Sequence, residues 1–235
     1  MKKIIVFSFA LFAGVVVFAQ KVVPSSNVIT EQRTVLDFSQ LVVSNGIEVV
    51  VAFTGSEKIE IQAPDNVVQF IETVAEKGVL NVRVRKGVKF RVNPTVKVFI
   101  NMKSLTRILA TDNSKIVFEN TISAEKLDIT LNNATLKGHI AVQKASIVLT
   151  KGAKADLSGT CNELKLNSSG ASTLVDTSLS VDELVAKMNG QCTTRVMVTQ
   201  SLEFNGAKGS NLYYLGNPKI KGIKASGDSG FFRAD

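Results

Sequence analysis

Hydrophobic and polar residues alternate in short runs along most of the chain. Ile47-Glu48-Val49-Val50-Val51, Lys58-Ile59-Glu60-Ile61 and residues 79–85, 96–100 and 127–131 are examples. Such runs, rich in Val and Ile and bounded by Gly, Asn and Ser, predict half-buried β-strands. Helical spacing is confined to residues 66–76. There Val67, Phe70, Ile71 and Val74 share one face behind Pro64-Asp65, which predicts a short helix or helical turn.

From about residue 105 to 232 the pattern repeats. Each unit opens with alternating apolar residues, as in Ile108-Leu109-Ala110, Leu127-Asp128-Ile129, Ile147-Val148-Leu149 and Leu164-Lys165-Leu166. Each then breaks at a turn-forming group centred on Asn113, Asn133, Gly152, Gly170, Gly190, Gly206 and Gly227. The spacings are 20, 19, 18, 20, 16 and 21, and Gly209 in place of Gly206 would make the last two 19 and 18. A period near twenty without helical character marks a β-solenoid, whose turns bury their apolar faces only by stacking. The reading is all-β: a right-handed parallel β-helix or solenoid, with an irregular strand-rich part from residue 31 to about 104 that lacks the break signature. An antiparallel β-sandwich with evenly spaced strands is the alternative fold.

Aligned on the breaks, the third residue after each (Ile116, Leu136, Ala155, Thr173, Thr193) forms an expected inward column. The second (Lys115, Thr135, Lys154, Ser172, Cys192) forms an expected outward one. In this register Cys161 and Cys192 lie two turns apart, an axial offset of about 10 Å. A disulfide needs Cα atoms within about 7 Å, so two free thiols are expected. A sandwich could bring the same pair opposite each other.

Composition adds the compartment. Lys2 and Lys3 precede a fifteen-residue apolar run, 4–18, and Val17-Phe18-Ala19 has the small residues of a signal-peptidase site. A spanning helix needs about 20 residues, so 1–19 reads as a signal peptide rather than an anchor. Cleavage after Ala19 takes the formal charge from +8 to +6 over the 216 residues that remain. No later stretch approaches membrane length. Residues 20–35 read as an extension and 36–235 as one domain. An apolar share of 45% excludes wholesale disorder, and two cysteines exclude a disulfide-stapled miniprotein.

Residues 38–49, Phe-Ser-Gln-Leu-Val-Val-Ser-Asn-Gly-Ile-Glu-Val, resemble the opening of an exported bacterial family, the auto-transporter adhesin, head GIN domain family. Ala63-Pro64-Asp65-Asn66, Lys77-Gly78-Val79-Leu80-Asn81-Val82, Ser169-Gly170-Ala171-Ser172 and Tyr213-Tyr214-Leu215-Gly216-Asn217-Pro218 follow in the family's order, so the resemblance spans roughly 36–232. Here Gly46-Ile47-Glu48 stands where the name-giving triplet ends in Asn, and Asn113 and Asn133 stand where the family usually has Gly. The resemblance implies an exported adhesin-like solenoid of a Gram-negative periplasm or cell surface. It brings no catalytic residue and no cofactor.

The chemistry in the chain is sparse. His139 is the only histidine and has no Ser or Asp at a motif spacing. Asp112, Asp128 and Asp156 occupy different places in the repeat, so no acid pair of the glycosidase type is expected. With no Trp and only Tyr213 and Tyr214, aromatic platforms for sugars are scarce, and the reading is non-enzymatic. The strongest charge feature is Arg83, Arg85, Lys86, Lys89 and Arg91, with Arg83 and Arg85 expected to face outward on one strand. It is either a solvated strand face or a patch for an anionic glycan or other envelope component. Without interleaved aromatics it does not suit nucleic acid. The function expected is binding of a surface polymer or protein partner, with an envelope structural module as the alternative. A glycan-active enzyme is a weaker third class.

Overall fold

A computed structural model describes residues 21–35 and 37–234, without the side chains of Asp176 and Thr177; the expected signal peptide lies outside these residues. The described residues form seventeen strands. The first six are β1 (Val28–Arg33), β2 (Gln40–Val43), β3 (Glu48–Phe53), β4 (Lys58–Pro64), β5 (Ile71–Glu76) and β6 (Val79–Val84). There follow β7 (Lys97–Met102), β8 (Arg107–Thr111), β9 (Lys115–Phe118), β10 (Ile122–Asn132), β11 (Thr135–Thr150) and β12 (Lys154–Ser169). The last five are β13 (Thr173–Asn189), β14 (Thr193–Ala207), β15 (Asn211–Leu215), β16 (Lys219–Ala225) and β17 (Gly230–Arg233).

They wind into a parallel β-solenoid of about seven turns. The parallel ladders joining β10, β11, β12, β13 and β14 exclude the antiparallel sandwich. Along one turn the buried residues are Ala134, Leu136, Ile140, Val142, Ala145, Ile147 and Leu149, and the next turn starts at Ala153. The two-residue alternation runs in phase from Ala134 to Val142, with Gly138 in line with the fully buried Leu157 of the next turn, slips by one residue between Val142 and Ala145, and breaks again at the corner before Ala153. Stacked columns such as Ile108, Ile129, Ile147, Leu166, Ala186 and Phe204 fill a continuous core.

The tightest corner is the expected break. Its residues have positive φ at Asp112-Asn113, Asn133, Lys151-Gly152, Gly170-Ala171, Gly190-Gln191, Lys208-Gly209 and Gly227-Asp228. The sixth corner is at Gly209, which gives the regular 19 and 18 spacing; Gly206 lies inside β14. The expected columns need a correction at Gly170 and Gly190. There glycine takes the first left-handed position instead of the second, so alignment on glycine slips by one residue. The inward column is Ile116, Leu136, Ala155, Leu174, Thr194 and Leu212; Thr173 and Thr193 face outward. Ser172 and Cys192 are buried, at 0% exposure, beneath the corner. Both cysteines are nevertheless free thiols, two turns apart.

The N-terminal part belongs to the same coil. Asn45 and Gly46, at φ 65° and 71°, form another corner of the column, between β2 and β3. Those strands are flanked by β8 and β9 on one side and by β6 and β7 on the other, all parallel. β4 and β5 then pair antiparallel with β7 and β6, and β1 with β4, capping that end. The helix expected at 66–76 shrinks to one 3-10 turn at Val68–Phe70, and Ile71–Glu76 is strand β5. The β-branched Ile71, Thr73 and Val74 favour extended backbone, and Ile71 and Thr73 point inward where the helical reading had Val74, which is 45% exposed.

At the other end Phe231 stacks on Phe204 and Tyr214 at centroid distances of 5.6 and 4.9 Å and closes the core. Phe232 stands outside, stacked on Tyr213 at 5.2 Å.

Candidate functional site

The corner column changes character at the capped end. Its corners are joined along the axis by backbone bonds, such as Asn113 N–H to the Asn133 carbonyl (2.6 Å), Ala171 N–H to Gly190 (2.7 Å) and Gln191 N–H to Lys208 (2.8 Å). Between β6 and β7 the two-residue corner is replaced by the loop 85–96, which carries Arg85, Lys86, Lys89 and Arg91. Asn45 compensates with its side chain, whose Oδ1 accepts the Val84 N–H at 3.1 Å.

The loop is clasped by Val22, in the segment before β1, through an isolated parallel bridge to Phe90. Val22 N–H donates to the Lys89 carbonyl and Arg91 N–H donates to the Val22 carbonyl, both at 2.9 Å. Between this clasp and the corners Asn45-Gly46 and Asp112-Asn113 lies a cavity of about 580 Å3. Val84, Val88, Phe90 and Val96 give it an apolar side, and Lys21, Lys89, Asn93 and Asp112 a polar one. Asp112 accepts a hydrogen bond from Thr111 Oγ1 at 2.8 Å.

The five basic residues divide into two groups. Arg83 and Arg85 are exposed as expected, but both lean on Glu72 of β5, at 2.9 and 3.7 Å. Arg85 also donates to the Gln69 carbonyl at 2.9 Å and lies 5.9 Å from the Phe70 ring centre. Lys86, Lys89 and Arg91 are exposed, and among the described residues no carboxylate lies within ion-pairing distance of them. Of the five, only Lys89 reaches the cavity. Strand alternation pointed to the outward arginines. Glu72 as their partner was hidden, because residues 66–76 read as helix.

Elsewhere His139 Nδ1 and Ser158 Oγ are 3.0 Å apart on adjacent turns. Their nineteen-residue separation is one period of the coil, so the pair was legible only once β11 and β12 had been set in register. Asp128 pairs with Lys126 (3.1 Å) and Asp156 with Lys137 (3.0 Å) on different sides of the coil, while Asp112 sits at the corner. Burial in the core pushes the Cys161 thiol up to about 11, which makes it a packing residue rather than a nucleophile.

Residues 37–218 match the model of the family described as "Putative auto-transporter adhesin, head GIN domain". A solved structure of a putative adhesin from Bacteroides fragilis is similar, at 21% identity and TM-score 0.84 over 91% of this chain and 100% of that one. A putative adhesin from Parabacteroides merdae is 19% identical at TM-score 0.71, over 92% of this chain and 99% of that one. A putative lipid binding protein from Parabacteroides distasonis is 14% identical at TM-score 0.74, over 92% and 100%. At these identities the likeness carries the fold. No curated protein matches the chain.

Proposed function

This chain belongs to the auto-transporter adhesin, head GIN domain family, and on that premise we propose that it is an exported, non-enzymatic adhesin-like solenoid that holds an anionic polymer of the cell envelope. The family supports an adhesin-like role. The observation that carries the ligand class is the cluster Lys86, Lys89 and Arg91. These are three exposed cations without a carboxylate partner among the described residues, on the one corner that departs from the repeat. Unpaired cations cost nothing to redirect toward a ligand, whereas those of Arg83 and Arg85 are shared with Glu72. The cavity beside Lys89 offers apolar wall and amide groups to a sugar ring or headgroup at the same place.

In this reading residues 1–19 direct export and are removed, and residues 36–235 act as one domain in the periplasm or at the cell surface. The test is retention of the mature protein on an immobilised acidic polysaccharide and on its neutral counterpart, across a salt series. Retention on the acidic polymer alone, falling as salt rises, is expected. Equal retention on both, or none on either, refutes the proposal.

A further inference from the structure

A parallel coil has two ends, and here both leave unpaired backbone. On one side of the coil the outermost strands are β5 and β16, which pair only with β6 and β14 respectively. On another they are β1 and β17, which pair only with β4 and β15. Of the nine large hydrophobic residues that are exposed among the described residues, six lie on these four strands: Val28 and Ile29, Val74, Ile220 and Ile223, and Phe232. Exposed apolar side chains on free strand edges are what a further strand would cover.

The charges on the edges are opposite. β16, Lys-Ile-Lys-Gly-Ile-Lys-Ala, carries Lys219, Lys221 and Lys224 and no acid. β5, Ile-Glu-Thr-Val-Ala-Glu, carries Glu72 and Glu76 and no cation. Lys221 is paired with Glu183 (3.0 Å) and Glu72 with Arg83 and Arg85, which leaves Lys219 and Lys224 at one end and Glu76 at the other. Like ends brought together set these charges against their own kind and are disfavoured. Unlike ends match. The directions also fit: β16 runs with the coil and β5 against it, so a coaxial stack pairs them antiparallel, the stronger arrangement. β17 and β1 both run with the coil and meet parallel.

We propose that the occupant of each end is a second copy of this chain, docked head to tail with β16 and β17 of one molecule on β5 and β1 of the next. The contact is heterologous and does not close on itself, so repetition produces an open filament. It is independent of the anionic-polymer reading, since none of its strands contains Lys86, Lys89 or Arg91.

Sedimentation and light scattering of the full chain after export, at low salt and rising concentration, test it. The expected mass rises past that of a dimer, and salt reverses the rise. The swap E76K, or the swap K219E with K224E, each weakens assembly, moving its midpoint up by at least ~10-fold in concentration. The chain carrying both swaps assembles again. Glu72 is left alone because it holds Arg83 and Arg85. A wild-type chain that stays monomeric, or stops at a dimer, overturns the proposal. So does assembly unaffected by the single-end swaps, or no recovery in the combined variant.

Discussion

The one-residue slip in the inward column can be tested by substitutions of opposite sign. Thr194 is fully buried, between Leu174 and Leu212 in neighbouring turns, and its Oγ1 has no hydrogen-bond partner among the described residues. A buried hydroxyl without a partner costs about 1–3 kcal/mol. Valine has the same shape with a methyl in its place, so Thr194→Val is expected to stabilise by about 1–2 kcal/mol. At about 2–4 °C per kcal/mol for a domain of 150–250 residues, the melting temperature rises by about 2–8 °C. Thr193 is half-buried and faces outward, so Thr193→Val stays within about 0.5 kcal/mol of the parent. Ser172 is buried in the column below the corner, yet it donates to the Ser169 carbonyl (2.7 Å) and accepts the Ala153 N–H (3.2 Å). Ser172→Ala therefore destabilises by about 1 kcal/mol. Thermal melts followed by circular dichroism at 218 nm, in the far ultraviolet where strands absorb, read all three. If Thr193→Val rather than Thr194→Val is the stabilising change, the register assigned after Gly190 is wrong.

Replacing Lys86, Lys89 and Arg91 by Gln should flatten the log–log salt dependence of retention on an acidic polysaccharide by about 2–3, at roughly 0.7–0.9 per cation by analogy with nucleic-acid phosphates. Arg83→Gln with Arg85→Gln should change it less, because Glu72 already offsets one of the two charges. Gly159, at φ 103°, has the Ile140 carbonyl oxygen where a Cβ would go. Gly159→Ala should lower the melting temperature far more than Gly152→Ala, whose Cβ meets open space. Both thiols should react with Ellman's reagent only after unfolding. Cys161, raised from 9.0 to about 11 in the folded chain, contributes stability that is complete below about pH 9 and is lost as pH climbs through 11. Urea titrations of the parent should show that alkaline decline, and Cys161→Ala should not.

The repeat could be read from sequence because a solenoid turns a period along the chain into a column in space. What the period does not state is which residue of a turn-forming pair takes each left-handed position. Glycine fills the second at Lys151-Gly152 and Lys208-Gly209 but the first at Gly170-Ala171 and Gly190-Gln191, so glycine marks the corner without fixing its phase. The corner at Asn45-Gly46 escaped notice for a different reason. Its neighbours in space, β6 and β8, are separated from it in sequence by the whole excursion through β4, β5 and β7, so no period connects them. The capping strand β5 was misread because Val67, Phe70, Ile71 and Val74 match helical spacing, while pairing with β6 decides the matter. The outward aim of Arg83 and Arg85 followed from alternation, but their neutralisation by Glu72 depended on that same pairing.

Charge and repeat are therefore complementary sources. Within the regular turns some cations are balanced by the neighbouring turn, as Lys144 is by Glu163 (2.9 Å) and Lys137 by Asp156 (3.0 Å), and others stack on neutral residues, as Lys154 does between Thr135 and Thr173 and Lys187 between Asn167 and Asn205. Stacking at about 4.8 Å places outward side chains of successive turns side by side, so unbalanced charge there would repel along a whole column. The loop 85–96 lies beyond the last tight corner, and the edge β16 lies at the last turn, where no further turn supplies a partner. Excess charge is tolerated at such places, and a partner can relieve it. If filaments form, each copy repeats the loop every ~50 Å, since ten or eleven strands stack between its two edges at ~4.8 Å per strand. A long acidic polymer then meets many weak sites at fixed intervals, and each contact raises the effective concentration at the next. A loop too small to bind tightly alone would hold a polymer firmly in that setting.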